Sequence, residues 1–212
     1  MRGVLVTFEG VEGSGKSTQA DKLADFLRGQ GMECVVSREP GGTPIGEQVR
    51  SILLDPKNRA MDGRTELFLY LASRSQHVFE KVMPAVAAGK VVILDRYAET
   101  SVAYQGAGRE LGEQVVSRLN RLATHNLKAD LVVVVDVPVA VGQKRKQGDE
   151  LDRLEQERIE FHERVRSSYL AMARRAGRRI RVVDGRKSPD EIQADVRRLV
   201  LELLERKGYK FR

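Results

Sequence analysis

The run Gly10-Val11-Glu12-Gly13-Ser14-Gly15-Lys16-Ser17 limits what this chain can fold into more than any other feature, because it matches the spacing G-x-x-x-x-G-K-[ST]. Its surroundings agree with it. The apolar run Val4 to Phe8 reads as a strand before the loop, and Ala20, Leu23, Ala24 and Leu27 recur at helical spacing after it. Gly10, Gly13 and Gly15 let the backbone curve until successive N–H groups point inward, and the following helix adds the positive end of its dipole. Such a cradle suits a polyphosphate. Lys16 is expected to reach the β and γ phosphates, Ser17 to ligate Mg²⁺, and Thr18 to bind the nucleotide beside them.

The rest of the chain alternates strand and helix. Glu33 to Ser37, Val91 to Asp95, Leu131 to Val137 and Arg179 to Val183 read as further strands. Helices are expected over 45–54, over 65–88 with a kink or break at Pro84, over 113–126 and over 151–176. Ser188-Pro189-Asp190-Glu191 opens a last helix with an N-cap Ser, Pro at the first helical position and a Glu placed to close a capping box. Five strands separated by helices predict a parallel sheet with helices on both faces, an α/β P-loop NTPase fold. With no repeat or linker, residues 1–212 read as one domain, in which the polar, basic stretch near 143–153 is a short lid.

Composition removes several alternatives. The net charge is +7, but aromatic residues are few and not interleaved with the basic ones, so a nucleic-acid surface is not expected. No apolar run spans a bilayer, and the start is too short for a secretory signal; a cytoplasmic protein is the expectation. Cys34 has no partner for an internal disulfide and reads as a small buried hydrophobe. His77, His125 and His162 lack metal-ligand spacing, and the basic tail 206–212 reads as a solvated end. A guanine switch usually carries N-K-x-D, which is missing, and a motor ATPase needs more chain. A small-molecule kinase is the simplest reading.

Further pieces sharpen this. Asp95-Arg96 sits at the carboxyl end of a buried strand, where open α/β sheets bind ligands. Phe8-Glu9-Gly10 through Thr18, Ser37-Arg38-Glu39-Pro40-Gly41-Gly42-Thr43, Asp95-Arg96-Tyr97, Ala103-Tyr104-Gln105-Gly106 and Leu151-Asp152-Arg153-Leu154-Glu155 together resemble the bacterial type of thymidylate kinase. The match runs over nearly the whole chain, and Arg-Glu-Pro-Gly-Gly is its most specific piece.

The resemblance implies transfer of the γ-phosphoryl of ATP to dTMP, with Mg²⁺, by a homodimer. It implies that Arg96 and Arg38 hold the acceptor phosphate and that Asp95 assists through a Mg²⁺ water or the acceptor. Glu12 would face the 3′-hydroxyl of the sugar. Tyr70, Arg74, Ser101 and Gln105 would read the base; Tyr70 and Arg74 are four apart, hence on one helical face. Tyr70 stands where the family commonly has Phe, so its hydroxyl needs a partner, and a core role is the alternative. Gln105 could pair with the base edge through both amide atoms, whereas Ser101 reads equally as a helix cap. The phosphate loop has no cation between its glycines. A lid cation is therefore implied among Lys144, Arg145, Lys146 and Arg153, with Arg145 and Arg153 favoured.

Overall fold

The computed structural model describes residues 2–148 and 150–209. Its centre is a five-stranded parallel sheet in the order β2-β3-β1-β4-β5. The strands are β1 (Val4–Glu9), β2 (Cys34–Arg38), β3 (Val91–Asp95), β4 (Leu131–Asp136) and β5 (Ile180–Asp184). Val6 of β1 lies beside Ile93 of β3 on one side and Leu131 of β4 on the other, so β1 is the middle of the sheet.

Alternation along the strands sends side chains into two cores. Val4, Val6, Phe8, Ile93, Val133 and Val135 pack on α1 (Lys16–Gly29), while α9 (Pro189–Arg206) closes the same layer with Val196, Leu199 and Leu203. Leu5, Val92, Leu94, Val132 and Val134 face the opposite layer, where Tyr97, Tyr104, Phe161 and Tyr169 gather. Each such fully buried side chain contributes about 2 kcal/mol. The capping box of α9 forms as the sequence predicts, with Ser188 and Glu191 bonding each other's backbone N–H.

Two expectations need correction. The helix expected over 65–88 is α3 (Gly63–His77), then a wider π-helical turn at Val78–Val82, then α4 (Met83–Ala87). Pro84 falls in the first turn of α4, where its missing N–H costs nothing, and the wide turn before it makes room for the ring. The helix expected over 151–176 begins only at α8 (Ile159–Arg175). Asp152 is the reason: its Oδ1 accepts the N–H groups of Leu154 and Glu155 at 2.8 and 2.9 Å, which competes with helix bonding.

The remaining elements are α2 (Pro44–Leu54), α5 (Ala98–Ser101) continued by a π-helical stretch at Val102–Gly108, α6 (Glu113–Ala123) and α7 (Val139–Arg145). Asp149 of the expected lid and residues 210–212 of the basic tail lie outside the described residues. Cys34 is half-buried, and burial pushes its thiol pKa up. Among the described residues no helix is long and apolar enough to cross a membrane.

Candidate active site

The sheet order changes direction beside β1, and the carboxyl ends of β1 and β3 open into a cleft of about 590 Å³. The loop after β1 forms one wall. Gly13 has φ +69°, and a Cβ there would lie 2.2 Å from the carbonyl oxygen of Gly142 in α7. Only glycine permits both the left-handed backbone and that approach. Gly15, at φ +96°, precedes α1, so the helix starts at Lys16 as the motif requires. The Lys16 ammonium is folded back on its own loop, donating to the Val11 carbonyl at 2.9 Å and the Ser14 hydroxyl at 3.4 Å. Burial, then the nearby Arg96 charge, pulls its pKa down.

Ser17 donates to Asp95 Oδ2 at 2.5 Å, and Asp95 Oδ1 is buried without a partner. A hydroxyl and a spare carboxylate oxygen side by side fit Mg²⁺, which takes one or two protein oxygens and fills the rest of its shell from phosphates and water. Among the described residues there is no group of three or more His, Cys, Asp or Glu side chains that could hold a metal ion.

Arg96 faces the loop from β3. Its backbone sits at φ +73°, unusual for a side-chain-bearing residue, and this turn aims the guanidinium across the cleft. It ion-pairs with Glu12, bonds the Gly10 carbonyl at 3.3 Å and the Tyr104 hydroxyl at 3.2 Å, and lies over the Tyr104 ring. Burial works to raise the Glu12 pKa, but Arg96, then Lys16, outweigh it and bring the carboxyl to about 2. Glu12 therefore stays ionised beside Arg96 on the cleft wall. Arg38 also lines the cleft, half-exposed and paired with Glu47 at 3.0 Å.

The four residues expected to read the base do not all stand on the wall. Tyr70 lines the cleft. Arg74, Ser101 and Gln105 lie buried behind it. Arg74 donates to Glu39 at 2.7 Å, Ser101 at 2.7 Å, Asn120 at 2.6 Å and the Tyr97 carbonyl at 2.8 Å. Those bonds engage all but one of its N–H groups. Ser101 is thus tied to Arg74 rather than capping a helix. Gln105 donates one amide N–H to Glu66 at 2.8 Å, and its amide oxygen is buried without a hydrogen-bond partner among the described residues.

The lid divides likewise. Arg145 ends α7 over the phosphate loop and donates to the carbonyls of Gly13 at 3.3 Å and Gly185 at 2.9 Å. Lys146 lines the same cleft and pairs with Glu155, while Lys144 is exposed. Arg153 corrects the expectation. It is buried, ion-paired with Glu66 at 2.7 Å and bonded to the Leu53 carbonyl at 2.8 Å. Glu66 is itself fully buried and needs cations, and Arg153 and Arg109 supply them. Arg153 is an anchor for the segment before α8, away from the cleft wall.

Sequence reasoning missed Glu9, although a lone acid ending an apolar strand was the available signal. Its carboxylate, fully buried, accepts the Tyr97 N–H at 2.8 Å and the hydroxyls of Thr100 at 2.5 Å and Tyr169 at 2.9 Å. It clamps the residue that follows Arg96 and so supports the left-handed turn. Burial, then the Glu99 charge, raises its pKa from 4.5 to about 7, more than its hydrogen bonds pull it back. A raised folded-state pKa gives stability that is complete below the unfolded value near 4.5 and is lost as pH rises through about 7. Glu9→Gln should flatten that decline. Urea denaturation at pH 5 and pH 8 should show the variant gaining up to about 3 kcal/mol on the parent between the two pH values. Parallel pH profiles would refute a buried titrating Glu9.

The sequence profile of the thymidylate kinase family matches residues 8–196. A thymidylate kinase of Symbiobacterium thermophilum is 45% identical over 204 residues, 96% of this chain and 95% of that protein. One from Geotalea uraniireducens is 47% identical over 209 residues, 95% of this chain and 98% of that one. Among solved structures, the thymidylate kinase of Ehrlichia chaffeensis superimposes with a TM-score of 0.77 at 28% identity, over 95% of this chain and 99% of that chain.

Proposed function

The chain belongs to the thymidylate kinase family and phosphorylates dTMP to dTDP, and from that premise we propose how its own residues carry the transfer. One kinase domain spanning 1–212 takes the γ-phosphoryl from ATP in line onto the dTMP phosphate. The observation that carries this is the single cleft in which Lys16 and Ser17 face Arg96 and Tyr70. Lys16 leaves the Val11 carbonyl for the β and γ phosphates, and the loop amides hold the rest of the chain. Arg96 and Arg38 hold the acceptor phosphate, and Arg145 approaches the transferred group from α7. Mg²⁺, when bound through Ser17 and Asp95, neutralises phosphate charge.

On the acceptor side, Glu12 accepts from the 3′-hydroxyl. Tyr70 stacks on the pyrimidine while the remaining N–H of Arg74 donates to its O4. The unpartnered oxygen of Gln105 suits the N3–H of thymine, and Ser101 holds Arg74 in place.

An ADP-release assay with dTMP, dUMP, dCMP, dGMP and AMP tests the reading. Turnover should require dTMP, with kcat/KM at least about tenfold lower for dCMP and AMP, because the Gln105 oxygen would face an unprotonated ring nitrogen and the Arg74 N–H an amino group, leaving acceptor against acceptor and donor against donor. Chelation of Mg²⁺ should abolish turnover and its return should restore it. Equal rates with AMP, or ADP release without any acceptor, would overturn the proposal.

We also propose a homodimer. Phe68 and Phe79 are 60% and 66% exposed, and α2, which packs on α3, exposes Ile45 and Ile52 nearby. Exposed apolar surface of this kind marks an association face. Light scattering should give twice the chain mass, and Phe68→Glu should return the mass of one chain.

A further inference from the structure

A crevice of about 600 Å³ lies between α6, the end of α8 and the amino ends of β4 and β5, apart from the catalytic cleft. Its size suits a small ligand. Arg118, Arg121, Lys128, Arg175 and Arg179 contribute to its walls. Arg175 pairs with Glu113 at 2.9 Å and Arg179 with Glu99 at 2.6 Å. Arg118, Arg121 and Lys128 have no ion pair or side-chain hydrogen bond among the described residues. The crevice therefore holds an excess of positive charge. Exposed single contacts give at most about 1 kcal/mol each, so a ligand carrying several charges on a short frame gains far more than a monoanion.

The floor of this crevice is the back of the wall behind the base-reading residues. Asn120, 4% exposed, lines the crevice. Its Oδ1 accepts from Arg74 at 2.6 Å and its amide donates to the Ala98 carbonyl at 2.9 Å. Tyr97 lines the crevice as well, and its carbonyl accepts from Arg74 at 2.8 Å. Two of the groups that hold Arg74 are thus shared with the crevice wall. Beside them Glu99 keeps one carboxylate oxygen buried without a partner, so the wall also holds an unused acceptor.

We propose that this crevice is an effector site for a compact polyanion, a polyphosphate or nucleoside polyphosphate, whose occupancy changes the grip on dTMP through Asn120 and Tyr97. The coupling rests on the reading of Arg74 as a base contact; the binding does not. Whatever factor the effector imposes on dTMP affinity, dTMP must impose on the effector.

Calorimetry on protein saturated with dTMP and ADP tests the site, since both halves of the catalytic cleft are then filled. Sodium tripolyphosphate is the titrant in one arm and dTTP in the other. One further site per chain is expected, at least tenfold weaker in the triple variant Arg118→Ala/Arg121→Ala/Lys128→Ala. Tighter binding of dTTP assigns the site to nucleotides, and equal binding assigns it to the phosphate chain alone. No further site, or one unaffected by the triple variant, overturns the proposal. At saturating ATP the dTMP KM should shift at least threefold with tripolyphosphate in the parent and not in the triple variant. An unmoved KM in the parent overturns the coupling. Arg74→Met separates the two readings: if it leaves the dTMP KM unchanged, the base-contact role fails while the calorimetric result stands.

Discussion

Lys16→Ala is expected to lose turnover by on the order of 10³-fold while unfolding no more easily than the parent. The activity loss follows from position. Lys16 lines the cleft from the phosphate loop, bonded to the Val11 carbonyl, and in the proposed transfer it is the cation that moves onto the phosphoryl group. Removing one preorganised charge from a phosphoryl-transfer site typically costs 10²–10³-fold or more. The stability half follows from electrostatics. Burial and the Arg96 charge lower the Lys16 pKa, so carrying that charge costs the folded state free energy. Deleting it relieves Arg96 of a like charge and leaves the loop amides in place. Steady-state kinetics with thermal melts of both proteins check the pair of outcomes. A variant that keeps more than about a tenth of the turnover, or melts well below the parent, would contradict this account.

Much of the fold was legible because apolar runs announce buried parallel strands. Leu131 to Asp136 and Val91 to Asp95 need no context to be read. The final helix was equally legible, because Ser188, Pro189 and Glu191 encode its start locally. The segment 151–158 was not. Its residues favour a helix, and only the competition from the Asp152 side chain and the pull of Glu66 on Arg153 hold it in turns. Tertiary demand of that kind leaves no periodicity behind.

The candidate site divides along the same line. Gly10 to Ser17, Asp95 and Arg96 carry their chemistry in short motifs, and the fold brings them to one cleft. The buried acids Glu9, Glu39 and Glu66 were read, if at all, as parts of motifs, because sequence does not reveal that a carboxylate is fully enclosed. They prove to set the positions of the arginines. Glu9 supports the turn at Arg96, Glu66 diverts Arg153 from the lid, and Glu39 orients Arg74.

Glu39 yields the largest expected effect on stability. It is 3% exposed and accepts from Arg74 Nε at 2.7 Å and bonds His77 Nδ1 at 3.0 Å, while His77 Nε2 meets the Ser37 hydroxyl at 2.9 Å. Burial works to raise its pKa, but Arg74 and then His77 outweigh that and hold it below the usual carboxylate value. Glu39→Ala strips a guanidinium that is 1% exposed of its ion-pair partner. Breaking a buried pair on one side costs about 3–5 kcal/mol, because the remaining charge is left without its counter-ion. The sign of the pH dependence follows from the lowered pKa. The contribution is full above the unfolded value near 4.5 and fades as pH falls through the folded one, so the gap between parent and variant should narrow in acid. Urea denaturation at pH 7 and pH 4 measures both points. The kinetic consequence should be one-sided. With Arg74 freed to turn, the dTMP KM should rise about tenfold or more while the ATP KM stays put, since the Glu39 side chain bonds Arg74 and His77 and, among the described residues, no part of the phosphate loop. Arg74→Met on top of Glu39→Ala should recover part of the lost stability, because an apolar chain replaces the stranded charge. Full additivity of the two substitutions would mean that the pair is not coupled, and the account of Glu39 as the residue that orients Arg74 would fall with it.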